Sequence, residues 1–305
     1  MATVWDCSVF LRTTHDLCSG LQLVAMKKVV FSEKCLDYSY YGHIEGPERV
    51  REAYRILKKK GYAFLEPEPV SEDDLLKVHS RAWIERVKRG GVFDADTPGG
   101  PGIFQYATLS AGAAVVAARE RAFSLMRPPG HHAGINGRAM GAPTLGFCYI
   151  NNVAVAVRHM GKPTLILDID GHHGNGTEEI FKGDPSITVV SLHGGGIYPG
   201  TGHSSDGNCL NFPFFTPPGD HLYLQTLDKA LSQVEMRKVE MIAISAGFDC
   251  HQGDLASLGL TSACFLEIGK RIRDLGKCSF GVLEGGYSGE DVGEDLDNLL
   301  KGLAD

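Results

Sequence analysis

Leu167-Asp168-Ile169-Asp170-Gly171-His172-His173-Gly174-Asn175-Gly176 puts two carboxylates and two imidazoles into a glycine-rich turn directly after an apolar run. The run itself, Pro163-Thr164-Leu165-Ile166-Leu167, is short and β-prone, which reads as a buried strand of a parallel sheet. Side chains alternate along an extended segment, so Asp168, Asp170 and His172 are expected on one side and Ile169 on the other. Carboxylate and imidazole suit zinc, and a catalytic zinc takes about three protein ligands with one position left open. Asp170 and His172 can supply two of them. So many titratable groups in one turn would be a costly way to cap it, which favours a metal site over a polar cap.

The third ligand is expected at the end of another buried strand, and Asp249 ends the run Met241-Ile242-Ala243-Ile244-Ser245-Ala246-Gly247-Phe248-Asp249 in the same manner. Two further apolar runs end on suggestive chemistry: one reaches His131 and His132 through Arg127-Pro128-Pro129-Gly130, the other reaches Tyr287 through Glu284-Gly285-Gly286. In an open parallel sheet the binding crevice lies outside the carboxyl ends of the strands, so these groups can converge without being neighbours in sequence. Helical stretches at 47–60, 72–89, 102–119, 151–160, 221–234, 262–275 and 290–303 alternate with the strands. That alternation predicts an α/β chain of three layers, a central, mostly parallel sheet flanked by helices.

Taken together, Arg127 to His132, Gly146-Phe147-Cys148-Tyr149-Ile150-Asn151-Asn152, Asp168 to Gly176, Ser191-Leu192-His193, Tyr198 to Gly202, Ala246 to Asp249 and Glu284 to Tyr287 resemble the zinc-dependent histone deacetylase superfamily. That superfamily also holds acetylpolyamine amidohydrolases and related prokaryotic enzymes. The resemblance narrows the fold to the arginase/deacetylase fold and implies one zinc per chain on Asp170, His172 and Asp249. It makes His131 and His132 the tandem histidines beside the reacting water, partnered by Asp168 and Asn175, and Tyr287 the hydroxyl facing the substrate carbonyl. The asparagine at 175 matches the branch that includes many class II-like members. By the same resemblance Phe147 and Tyr198 wall a substrate tunnel bordered by Gly146, Asp96 holds the substrate backbone at the rim, and Arg49 lines an internal cavity. A structural potassium ion is implied at the backbone carbonyls of Asp168, Asp170, His172 and Leu192 with the Ser191 hydroxyl.

The function this implies is hydrolysis of an N-acetyl or other N-acyl amide on a lysine side chain, releasing a carboxylate and the free amine. An acetylpolyamine or longer-chain amidohydrolase is the alternative within the class. A noncatalytic acyl-amine binding protein would be expected to have lost one of these groups, and an arginase-like two-manganese enzyme would carry different residues at Gly171 and His173. Two features depart from the family pattern. The segment from His132 to Gly146 is longer than expected and reads as a loop that shapes access or contacts a second copy in a homo-oligomer. The stretch after Asp249 lacks the glutamate of polyamine-selective relatives, and Asp254 reads as a residue serving its own loop.

Composition fits one soluble enzyme: 305 residues, 43% hydrophobic, with a net charge of −7 that disfavours direct nucleic-acid binding and mildly attracts cationic substrates. The eight cysteines include no C-x-x-C pair and read as reduced thiols of an intracellular, cytoplasmic protein. No run reaches the ~18–20 apolar residues of a membrane span, and the first residues lack the pattern of a secretion signal. Residues 1–25 read as an extension dispensable for catalysis, and 26–305 as a single catalytic domain opening on the strand Lys27-Lys28-Val29-Val30-Phe31.

Overall fold

The computed structural model describes residues 28–91 and 93–304. The expected boundary between an extension and the domain, together with Cys7 and Cys18, lies outside the described residues.

In chain order the strands are β1 (Lys28–Val30), β2 (Ala63–Leu65), β3 (Phe123–Ser124), β4 (Ala133–Gly134), β5 (Gly137–Arg138), β6 (Thr164–Asp168), β7 (Ile187–Gly194), β8 (Cys209–Phe214), β9 (Met241–Ala246) and β10 (Cys278–Leu283). Apart from the small antiparallel pair β4 and β5, they form one sheet in the order β2-β1-β3-β10-β9-β6-β7-β8, parallel throughout. The helices are α1 (Glu48–Lys59), α2 (Glu72–Leu76), α3 (Arg81–Arg89), α4 (Ile103–Glu120), α5 (Asn152–Met160), α6 (Asn175–Phe181), α7 (Gly219–Ser232), α8 (Ser262–Asp274) and α9 (Gly289–Ala304). α4 and α5 pack on each other and against β10, β3 and β9, while α9 packs between α1 and α8. The sheet is thus the middle of three layers.

Covering both faces dictates the central strands: every residue of β6 and of β9 is buried, as expected for parallel strands written as continuous apolar runs. Burying each Leu or Ile of these strands contributes roughly 1.5–3 kcal/mol. The register then fixes where the strands stop. Asp168 lies opposite Ser245 on one side and Ser191 on the other, and Leu283 lies opposite Ala246. The ends of β3, β10, β9, β6 and β7 are therefore adjacent at one edge, with the chain progressing outward in opposite directions from the centre. This is the switch-point geometry that opens a crevice.

The single helix expected over 72–89 is two. α2 stops at Leu76, and α3 restarts behind Ser80, whose hydroxyl accepts a hydrogen bond from Trp83 N (3.2 Å). Between them His79 turns inward, with Nδ1 2.9 Å from Gly134 O while Nε2 accepts from Asn151 N (3.0 Å). These bonds outweigh the one helical turn that is lost. The other expected helices are present with shifted ends: α7, for example, begins at Gly219 and ends at Ser232 rather than covering 221–234. β2, β4, β5, β7, β8 and α6 have no counterpart among the expected elements.

Cys35, Cys148, Cys209, Cys250 and Cys264 are buried free thiols. No helix among the described residues is long and apolar enough to cross a membrane.

Candidate active site

Asp170, His172 and Asp249 come together at the ends of β6 and β9, all buried, with one ligand-type atom from each within 4.8 Å of the others. Each carboxylate is oriented by a backbone amide. Asp249 Oδ1 accepts from Gly171 N (2.9 Å), and Asp170 Oδ2 accepts from Gly285 N (2.7 Å) at the end of β10. The inward oxygen Asp249 Oδ2 lies 2.8 Å from His172 Nδ1 yet has no hydrogen-bond partner of acceptable geometry. A buried oxygen left in that state costs about 1–3 kcal/mol unless something else takes it up. Glycine makes the approach possible: a Cβ on Gly247 would lie 1.9 Å from Asp170 Oδ2, and one on Gly285 would lie 2.7 Å from Asp249 Oδ2.

The charge state of the cluster follows from this crowding. Burial opposes a charge on His172, but Asp249 and Asp170 outweigh it and lift its pKa to about 10. Burial likewise raises Asp249, and the neighbouring Asp170 carboxylate adds to the effect. Two carboxylates around one imidazole leave an excess of negative charge that a cation balances, displacing the imidazole proton as it binds. The donor set of one nitrogen and two carboxylate oxygens therefore fits a divalent metal.

His131 and His132 follow β3, with ring centroids 4.0 Å apart and unlike surroundings. His131 Nδ1 donates to Asp168 Oδ2 (3.0 Å); burial disfavours its charge, but Asp170 and Asp168 raise its pKa to about 10. His132 is pushed well below the ordinary imidazole value by burial first, then by the charges of His131 and His172. Its Nδ1 lies 2.7 Å from Asn175 Oδ1, while Asn175 Nδ2 donates to Ala139 O (3.0 Å). That second bond fixes which end of the amide faces the ring. His132 must carry its proton on Nδ1 and keep a lone pair on Nε2. An aspartate at 175 would set a carboxylate oxygen against the Ala139 carbonyl.

Phe147 and Tyr198 stand on different sides of this centre. The Phe147 ring meets Tyr287 (5.8 Å) and His43 (4.9 Å), whereas the Tyr198 ring meets His132 (4.9 Å) and His172 (6.0 Å). Gly146 (φ +54°) turns the chain where a side chain would strike His132 and Tyr198, and Phe147 itself adopts φ +68°, a conformation that costs of order 1–3 kcal/mol outside glycine. Tyr287 is half-buried, and its surroundings hold the phenol well above its usual pKa, hence protonated.

Asp96 is placed differently from the expectation of a rim group awaiting substrate. Its Oδ1 accepts from the Thr97 hydroxyl (2.7 Å) and its Oδ2 from the Thr144 hydroxyl (2.5 Å). Asp94 holds Leu145 N (2.9 Å) and Thr97 N (3.0 Å), so both aspartates tie the 133–145 loop to the 94–97 turn. Glu179 takes Ile135 N (3.0 Å) and Met140 N (3.1 Å) of the same loop. Arg49 is buried and donates to Gly286 O (2.6 Å) and Glu284 O on the segment carrying Tyr287. At the implied cation position, the Ser191 hydroxyl lies 2.8 Å from His193 Nδ1, and Leu192 is buried.

Sequence reasoning passed over Glu284, which accepts from Gly130 N (2.7 Å), His131 N (3.1 Å) and Ser245 Oγ (2.9 Å) and so fixes the histidine pair to β9 and β10. Burial lifts its pKa to about 7. Its only sequence signal is its place two residues before Gly286 at the end of an apolar run.

Comparison with known proteins agrees with this geometry. The chain is 36% identical to a protein named probable deacetylase from Archaeoglobus fulgidus, over 86% of this chain and 81% of the relative. It is 34% identical to a histone deacetylase-like amidohydrolase from Pseudomonas aeruginosa, over 81% of this chain and 73% of the relative. Among solved structures, the HD domain of HDA15 superposes with a TM-score of 0.82 at 30% identity, over 91% of this chain and 88% of that one. The histone deacetylase domain profile spans residues 43–303, taking in the triad, both histidines and Tyr287, and the chain belongs to the histone deacetylase family.

Proposed function

We propose that the protein is a zinc-dependent deacetylase that hydrolyses the N-acetyl amide of lysine side chains, with Asp170, His172 and Asp249 as the metal ligands. The observation that carries this reading is the buried Asp170, His172 and Asp249 triad, in which the inward oxygen of Asp249 has no hydrogen-bond partner. Zinc held by these three residues would lower the pKa of water toward ~7 and polarise a carbonyl. His132, with its Nε2 lone pair free, accepts the water proton and returns it to the leaving amine. His131, kept charged between Asp168 and Asp170, supplies a positive field beside it. Tyr287, protonated, donates its hydroxyl to the developing oxyanion. A structural potassium at the carbonyls of Asp168, Asp170, His172 and Leu192 with Ser191 belongs to the same reading.

Acyl-lysine on a peptide is preferred over acetylpolyamine on two observations. The carboxylates of Asp254 and Asp96 are already engaged by the protein: Asp254 accepts three backbone N–H groups and Asp96 two hydroxyls, so a second ammonium would have to share them. The exposed large apolar side chains, among them Tyr41, Ile135, Met140, Ile197, Phe215 and Leu255, all lie on connections or first helical turns that follow the C-terminal ends of strands. A collar of that kind suits the flanking residues of a peptide.

The test is acetate release from an acetyl-lysine peptide and from N-acetylputrescine by zinc-loaded protein and by Tyr287→Phe. Faster, chelator-sensitive turnover of the peptide is expected, falling about 10²–10³-fold in Tyr287→Phe. Undiminished turnover in that variant overturns the mechanism, and preference for N-acetylputrescine overturns the substrate.

A further inference from the structure

Gly285-Gly286-Tyr287-Ser288 runs from the end of β10 to the start of α9 with no secondary structure of its own. Two glycines, Gly286 at φ +106°, make such a segment easy to displace. It is gripped instead from two sides. Arg49 holds the carbonyls of Glu284 and Gly286, as described above. The amides are held by Asp254, in the connection from β9 to α8: its Oδ2 accepts from Tyr287 N (2.9 Å) and Ser288 N (3.2 Å), and its Oδ1 from Leu255 N (2.6 Å). Asp254 thus reaches across 33 residues to Tyr287 and does more than close its own loop.

The connection that carries Asp254 also begins with Asp249, whose carbonyl accepts from Ala256 N (3.2 Å) and Ser257 N (3.0 Å). One loop therefore presents a carboxylate of the triad and grips the backbone of the tyrosine opposite. Bonds from an ionised carboxylate are roughly twice as strong as neutral ones. That matters at this place, because Ser288 is exposed and water competes for its amide.

We infer that Asp254 is the positioning residue for Tyr287: it sets the direction in which the phenol leaves the backbone and ties that direction to the loop carrying Asp249. The inference rests on the role proposed above for Tyr287. A donor to an oxyanion acts within about 2.7–3.1 Å of it, and a displacement of about 1 Å can cost on the order of 10²-fold.

The test uses the zinc-loaded full chain in wild-type form and as Asp254→Ala, Asp254→Asn, Tyr287→Phe and the double variant Asp254→Ala/Tyr287→Phe. Kcat and KM are measured on the acetyl-lysine peptide, zinc affinity by titration, and backbone hydrogen exchange at residues 287 and 288. Asp254→Ala is expected to lower kcat by about 10- to 100-fold with KM changed by less than about twofold. It is expected to speed exchange at both amides, to leave zinc affinity unchanged and to add nothing in the Tyr287→Phe background. Asp254→Asn, which keeps one acceptor oxygen, falls between the two. Equal losses with and without the tyrosine hydroxyl, an unchanged kcat, or unchanged exchange at 287 and 288 overturns the inference alone. Full turnover in Tyr287→Phe brings down the reading of the reaction, and the inference with it.

Discussion

Two buried charge clusters lie beyond the C-terminal ends of these strands, and they are finished differently. In one, Arg127 donates to Glu45 Oε1 and Oε2 (2.7 Å each), Glu45 O (3.0 Å), Cys35 O (2.9 Å) and Tyr38 O (2.8 Å), which occupies its full set of N–H groups. The Tyr38 ring closes over the guanidinium at 3.6 Å. In the other, Asp170, His172 and Asp249 leave an inward oxygen without a hydrogen-bond partner and carry more negative than positive charge. A cluster saturated by its own protein holds a fold together. A cluster left short by one cation is arranged to receive one.

The largest effect that follows is on the unsaturated cluster. Asp249→Asn keeps an oxygen for Gly171 N but loses the anionic donor, so zinc should no longer stabilise the protein. In the wild type, zinc at a thousandfold excess over Kd should add about 4 kcal/mol to the unfolding free energy, read as a rise in thermal midpoint. In the Asp249→Asn variant that rise is expected to vanish and turnover to fall by about 10³-fold or more. A zinc-induced rise of wild-type size in the variant breaks the contrast between the clusters.

The saturated cluster should respond the other way. Burial opposes the charge of Glu45, but Arg127 more than compensates and holds its carboxyl below the usual range. Glu45→Gln leaves Arg127 buried against a neutral amide, and breaking a buried pair on one side costs about 3–5 kcal/mol. Urea unfolding should show that loss, while the fraction that remains folded still binds one zinc. A loss below about 1 kcal/mol would place this cluster with surface ion pairs instead.

The two clusters also differ in how far they could be read beforehand. β6 and β9 announce themselves as apolar runs, and the side chains at their ends are confined to a narrow crevice, so Asp170, His172 and Asp249 were readable from strand ends alone. The pairs His131 with Asp168 and His132 with Asn175 needed the family pattern, because nothing local joins residues 37 and 43 positions apart. Glu45 with Arg127, Glu284 with the Gly130 amide and Asp254 with the Tyr287 amide were not legible at all. Each joins one side chain to a backbone group or a charge far along the chain, and such bonds leave no periodicity. β2 is too short for a run to stand out, and α6 begins inside the glycine-rich turn after β6, where glycine and asparagine argue against helix. Asp96 shows the converse limit: the family pattern implied a role toward substrate, but its engagement by Thr144 depends on the length of the 133–145 loop.

His79 offers the finest test of saturation as a structural signature. It is 2% exposed, and both ring nitrogens are taken by Gly134 O and Asn151 N, the latter at the N-cap of α5. Burial lowers its pKa from 6.5 to about 4. The unfolded chain therefore takes up a proton near pH 6.5 that the folded protein refuses until about pH 4. Stability from this group is complete above pH 6.5 and is lost as pH falls through that window, amounting to about 3 kcal/mol for a shift of this size. His79→Gln removes the titration, so the variant should be less stable than wild type at neutral pH, with the gap closing as pH approaches 4. Taking the difference between the two proteins cancels the other acid-titrating groups. A gap of constant size across the window would mean that His79 takes up its proton in the fold as readily as in the unfolded chain, and that two satisfied nitrogens are not enough to mark a neutral structural imidazole.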